Sequence, residues 1–228
     1  MKMDALKSLE VLRDSWIKCE RCGLAASRRK KESPLFGVGS HNAHFLVVMD
    51  APSEDDMLLG EYLSDEAGHL VIDLLKEAGI KEEDVFFTTV VGCRPFTVVP
   101  ATEESEAREQ TRDPAKEEVA ACSPRLNEII YLVDPRLIIA MGDLPWKTLV
   151  LPKDRHKYTT ISAAAGEIFD TWVRGRADMV RYPVLATVSG KQIIKDPSSA
   201  VHGPLAATLA SLTKAGKYVN HLLEDEKK

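Results

Sequence analysis

Four short runs of nearly continuous apolar residues stand out along the chain: residues 44–49 (HFLVVM), 85–91 (VFFTTVV), 137–141 (LIIAM) and 184–188 (VLATV). Runs of this length, rich in β-branched residues and with little polar alternation, predict strands buried on both faces. Between them the spacing changes to three and four. Over 67–78 the apolar positions are Ala67, Leu70, Val71, Leu74, Leu75 and Ala78, with Gly79 as a stop signal. Over 117–133 they are Ala120, Ala121, Leu126, Ile129, Ile130 and Val133, and Asp134-Pro135 ends the pattern. Strands alternating with amphipathic helices predict an α/β fold in three layers, α/β/α, around a central, mainly parallel four-stranded sheet.

In such sheets ligands collect beyond the carboxyl ends of the strands. That rule singles out Asp50, Ala51, Pro52 and Ser53 after the first run, Thr88 and Thr89 to Pro95 at the second, Gly142 and Asp143 after the third, and Ser189, Gly190 and Lys191 after the fourth. The segment 97–116 is polar and acidic, with Pro100 and Pro114, and reads as an exposed insertion or a mobile loop.

At 228 residues, 44% hydrophobic and 29% charged, the chain suits one domain over 1–228. No stretch reaches the ~18 apolar residues of a membrane span, and the start is a charged amphipathic pattern, so an intracellular, cytoplasmic protein without membrane contact is expected. A net charge of −5 neither indicates nor excludes nucleic-acid binding, because patches decide it. A basic run at Arg28, Arg29, Lys30 and Lys31 and an acidic one at Glu103, Glu104, Glu106 and Glu109 supply such patches, although either run also reads as plain solvated surface.

The chain has four cysteines, Cys19, Cys22, Cys93 and Cys122, the first two in a CERC pair. In a reducing compartment this pattern favours metal ligation over disulfides. Four thiolates satisfy zinc, and they also satisfy an iron–sulfur cluster. The six histidines form no ligand motif with one another; His202 is near the Ser189 loop in sequence.

Several spaced motifs occur in one order: CERC, FGVGSHNAHFLVV, DAPSEDDMLLGEYLSDEAGHL, TTVVGCRP, RDPAKEEVAAC, DPRLIIAMG and PVLATVSGKQIIKDP. Together, over about 19–197, they resemble the iron–sulfur, family 4 uracil-DNA glycosylases. The resemblance implies a uracil-DNA glycosylase-like fold and a 4Fe–4S cluster held by Cys19, Cys22, Cys93 and Cys122. Cys93 and Cys122 lie further apart than is usual in the family, and an insertion between Arg94 and Arg112 accounts for this.

The resemblance also assigns a base pocket, and there the chain departs from the family. Asp50 stands where the family has a catalytic Glu, and Ser53 where its loop ends in Gly; a second acidic position falls on Asp56. Leu63 replaces a stacking Phe, Thr89 an Asn that reads the uracil edge, and Ser189 a His that serves the leaving base. An Arg of the family falls on Ala165. Lys191 and Lys195 occupy its DNA-contacting loop. Loss of one preorganised donor slows such chemistry by ~10²–10³. The expectation is therefore a cluster protein that binds DNA, single-stranded DNA included, or a protein partner through the acidic insertion, with weak or absent uracil excision. The alternative is an active DNA glycosylase of base-excision repair with altered base preference, carried by Asp50 and Asp56.

Overall fold

Alternate residues of each apolar run enter two different cores, which makes the fold three-layered. The computed structural model describes residues 2–29, 32–102, 105–196 and 203–227, with side chains from Lys7 onward. Lys30, Lys31, Glu103, Glu104 and His202, singled out above, lie outside the described residues. Strands β1 (Val38–Gly39), β2 (Phe45–Met49), β3 (Val85–Thr89), β6 (Leu137–Met141), β7 (Ile168–Arg174) and β8 (Met179–Thr187) form one sheet in the order β1-β3-β2-β6-β8-β7. The four inner strands are parallel, and β1 and β7 join antiparallel at the edges.

On one face Leu46, Val48, Ile138, Ala140, Val184 and Ala186 pack against α1 (Lys2–Trp16), α5 (Lys116–Val133) and α6 (Asp143–Leu149). On the other, Phe45, Val47, Val85, Phe87, Ile139 and Leu185 meet α4 (Glu66–Glu77) and α10 (Pro204–Asp225). Short helices α2 (Leu24–Ser27), α3 (Glu54–Leu59), α7 (Pro152–Arg155), α8 (Ile161–Ala164) and α9 (Gly190–Lys195), with a 3₁₀ turn at Glu82–Asp84, complete the connections. No helix among the described residues is long and apolar enough to cross a membrane.

The sheet has six strands where the sequence predicts four. The reason is local: β1 is two exposed residues, and β7 alternates between buried and exposed positions toward its end, as a strand covered on one face does. Neither produces a continuous apolar run. β8 also begins five residues before the predicted run, because its first half pairs with β7 rather than with β6. The helices fall close to their predicted bounds. Asp65 caps α4 by accepting from Gly68 N at 2.8 Å, and Gly79 takes the left-handed φ of 76° that ends it.

The segment expected as a loop carries a hairpin, β4 (Phe96–Val99) paired antiparallel with β5 (Arg108–Thr111). Its polar sequence conceals two strands whose side chains mostly face solvent. Ion pairs anchor it. Arg94, 7% exposed, contacts Glu109 and lies 3.0 Å from Glu54 at the start of α3, while Arg29 reaches Glu54 at 2.9 Å and Glu109 at 3.1 Å. The Arg94 guanidinium also sits over the Phe96 ring, 5.0 Å from its centroid.

Candidate functional site: a strand-end pocket beside a cysteine cavity

The carboxyl ends of β2, β6 and β8 converge because residues that would obstruct them are missing. Gly142, after β6, has φ 116° and ψ 170°, and a Cβ there would stand 3.2 Å from Asp50 Oδ1 and 3.3 Å from Ser189 Cβ. Gly190 opens α9 against α4, where a Cβ would lie 2.7 Å from Ala67 O. The resulting cavity is lined by Asp50, Ala51, Ser53, Leu63, Ser189 and Lys191, with Asp56 and Asp65 at its side. Outside it, Lys191 and Lys195, one turn apart on α9, line an open groove opposite Glu54, Asp55, Arg112 and Asp113.

Each predicted pocket residue has a distinct role in this geometry. Asp50 follows β2 directly, and its Oδ1 is buried without a hydrogen-bond partner among the described residues. Burial pushes its carboxyl up to about 6; Lys191 pulls against this, and Asp113 and Asp143 add to it. Asp56 is engaged by the backbone instead. Its Oδ2 accepts from Ser53 N at 2.8 Å and its Oδ1 from Ser64 N at 2.9 Å, while Ser53 Oγ accepts from Asp56 N at 3.1 Å, a capping box at the head of α3. Amides thus engage both oxygens of Asp56, whereas Asp50 Oδ1 has no partner among the described residues.

Leu63 lies at the pocket in the left-handed region, φ 66°, which is costly for a leucine. Gly68 packs against it so closely that a Cβ would be 2.3 Å from Leu63 Cα. Ser189 caps α9, its Oγ accepting from Gln192 N at 3.2 Å. Pro52 is buried beside the lining. Thr89 faces elsewhere: it is fully buried, its hydroxyl donates to Val91 O at 2.7 Å, and the Tyr62 hydroxyl stands 3.0 Å away. Tyr62 also lies within 3.1 Å of Leu35 O. Tyr62 carried no signal in the sequence, because its partners come from segments 27 residues distant on either side.

Beneath the end of β3 a second cavity is lined by all four cysteines together with Trp16, Leu24 and Val91. Cys19 and Cys22 come from the turn between α1 and α2, Cys93 from the loop after β3, and Cys122 from α5. All four are free thiols. Among the described residues no group of three or more His, Cys, Asp or Glu is arranged to hold a metal ion. The thiols nonetheless act on one another: burial pushes Cys93 up to about 12, Arg28 opposes this, and Cys122, Cys22 and Cys19 reinforce it. Two N–H groups point at Cys122 Sγ, Gly92 N and Arg125 Nε, each at 3.4 Å.

A parallel α/β/α scaffold with a strand-end pocket, two lysines of α9 at its mouth and a four-cysteine cavity defines an α/β protein with a ligand-sized pocket where such sheets place their sites. The chain belongs to the uracil DNA glycosylase superfamily, whose family model matches residues 36–213. It is similar to the type-4 uracil-DNA glycosylase of Sulfurisphaera tokodaii, 29% identical over 206 residues that cover 87% of this chain and 78% of the relative. The enzyme of the same name from Archaeoglobus fulgidus is 28% identical over 72% of this chain and 74% of its own length. That of Pyrobaculum aerophilum is 27% identical over 94% and 95%.

Proposed function

We propose that this chain is an iron–sulfur member of the superfamily that binds DNA and excises uracil weakly or not at all. The observation that carries the reading is the turned-away Thr89. A base-edge reader must present a donor and an acceptor to the pocket, whereas this hydroxyl is buried and engaged by Val91 O and Tyr62. Two further features agree with it. Leu63 offers no aromatic face, which is worth ~1–3 kcal/mol per stacked base, and the Ser189 hydroxyl is engaged in capping α9. Ala165 leaves the position before Gly166 without a cation.

DNA binding is supported by the pair Lys191 and Lys195 along the groove at the pocket mouth. The names of the similar proteins agree in substrate. The acidic segment is the candidate surface for a protein partner, with Glu109 already engaged by Arg29 and Arg94.

Cys19, Cys22, Cys93 and Cys122 would hold the 4Fe–4S cluster. The donor set fits: four thiols line one cavity, and amide and guanidinium N–H groups aim at a sulfur. Bound there, the cluster would act as a structural cross-link between the N-terminal helices, β3 and α5. The chain's own residues supply everything else at the pocket.

The test is a single-stranded uracil oligonucleotide incubated with stoichiometric, anaerobically purified protein, followed by cleavage at abasic sites. No product is expected, and turnover at an ordinary enzymatic rate defeats the reading. A second reading rests on Asp50, a buried carboxylate with an unpartnered oxygen and a raised pKa, suited to polarise a water. It calls for the same assay on hypoxanthine, xanthine and hydroxymethyluracil. Release of any of these, abolished by Asp50→Asn, establishes an active glycosylase with altered preference.

A further inference from the structure

Arg125, on α5, is completely buried. Its guanidinium donates through Nη1 to Phe36 O at 2.8 Å and Thr88 Oγ1 at 3.2 Å, through Nη2 to Thr89 O and Val90 O, and through Nε to Cys122 Sγ at 3.4 Å. Every acceptor is a neutral oxygen except the sulfur. Among the described residues no carboxylate pairs with it; the ionisable groups that act on it are Tyr62, Cys122 and Cys93. A buried cation without an anion is strongly destabilising, and a fold retains one where something negative faces it. Carbonyl dipoles solvate the charge without neutralising it. The groups beside Arg125 that a bound metal would deprotonate are the cysteines.

We propose that Arg125 is the internal counter-ion of a sulfur-ligated cluster at Cys19, Cys22, Cys93 and Cys122. This rests on the cluster reading given above and adds a residue to it. Arg125 stabilises the anionic thiolates, so it slows loss of iron. Reduction adds a negative charge, which a nearby cation favours, so Arg125 also raises the reduction potential. Its two terminal nitrogens tie the same charge to Thr88, Thr89 and Val90, the strand end behind the pocket. Arg125 is a positioning residue and touches no base.

The experiment compares wild type, Arg125→Met, which keeps the bulk without the charge, and Arg125→Lys, which keeps the charge without the fork. All are purified without oxygen and assayed for iron and acid-labile sulfide, for the rate of iron transfer to a chelator, and for midpoint potential by spectroelectrochemical titration. Arg125→Met should lose iron at least tenfold faster and shift the reduced-to-oxidised ratio at fixed potential at least tenfold toward oxidised, about 59 mV for one electron. Arg125→Lys should stay within tenfold of wild type on both. Wild-type values in Arg125→Met overturn the proposal, as does Arg125→Lys falling as far as Arg125→Met, since the fork rather than the charge would then matter. If Arg125→Met yields no soluble protein, Arg125→Lys decides: retained iron and potential support the counter-ion, and lost iron overturns it. Wild type without iron and sulfide overturns the cluster reading and this inference with it, whereas iron-loaded wild type leaves the variants to judge Arg125 alone.

Discussion

Asp50→Asn should make the protein more stable at neutral pH, by an amount that follows from the burial of its carboxylate. In the fold this group titrates at about 6 against an ordinary 3.8. A raised acid binds its proton more tightly in the native state, so between these two values the native state holds more protons than the unfolded chain, and stability falls as pH rises. At about 1.4 kcal/mol per pKa unit, the ionised carboxylate costs the fold about 3 kcal/mol above pH ~6, and nothing below pH ~4. Asparagine occupies the same volume, carries no charge and keeps an oxygen for the Leu144 amide that acts on Asp50. The variant should therefore melt roughly 6–12 °C above wild type at pH 8, on the scale of about 2–4 °C per kcal/mol for a chain of this size, and the gap should close toward pH 4. Thermal or urea unfolding of both proteins from pH 4 to pH 8 measures it. A gap independent of pH, or a less stable variant at pH 8, refutes the reasoning, because either outcome means that Asp50 is solvated or paired.

Glu118 should behave in the opposite way. Its carboxylate meets Arg112 Nη1 at 2.8 Å and Nη2 at 2.6 Å and accepts from Ala115 N at 2.7 Å, and the Arg112 pairing holds it below the ordinary carboxylate range. Its contribution is present above the unfolded carboxylate pKa and is lost as pH falls through the lower folded value; Glu118→Gln should cost roughly 1–3 kcal/mol at pH 7 by denaturant unfolding and markedly less in acid, and an equal cost at both ends contradicts the pairing. Lys191→Ala with Lys195→Ala should weaken binding to single-stranded oligonucleotides uniformly across sequences and lower the salt dependence by about one counter-ion for each phosphate no longer neutralised; an unchanged slope in a fluorescence-anisotropy salt titration removes both lysines from the phosphate path.

The candidate site was legible to different depths. Asp50, Ser53 and Ser189 fall at strand ends that continuous apolar runs announce, because a strand buried on both faces must be apolar throughout. Leu63 enters the same cavity from the loop between α3 and α4, and only the family resemblance singled it out, whereas Lys191 follows the fourth run directly, in the first turn of α9. Thr89 lies at the end of β3, as its apolar run predicts, yet its side chain is directed by Tyr62 and Val91 into the interior. Asp56 carries the same carboxylate as Asp50 and has a different use, since the turn at Ser53 brings one amide onto it and the loop at Ser64 a second. Period and residue type cannot distinguish these cases; hydrogen-bond partners can. The hairpin at 96–111 was hidden because its strands bury little, and burial is what imprints a pattern.

The sequence by itself determined that strands and helices alternate, where the sheet's inner strands run, that four thiols are available and that the motifs belong to one family's order, all of which are local or sequential properties. Tertiary structure alone decided which of two carboxylates keeps an oxygen without a partner, which hydroxyls turn away from the pocket, and that a buried guanidinium links Cys122 to the segments at Phe36 and Thr88. Charge and hydrogen-bonding capacity are written in each residue, whereas the partner that satisfies or frustrates them comes from a distant stretch of chain, and only folding brings the two together.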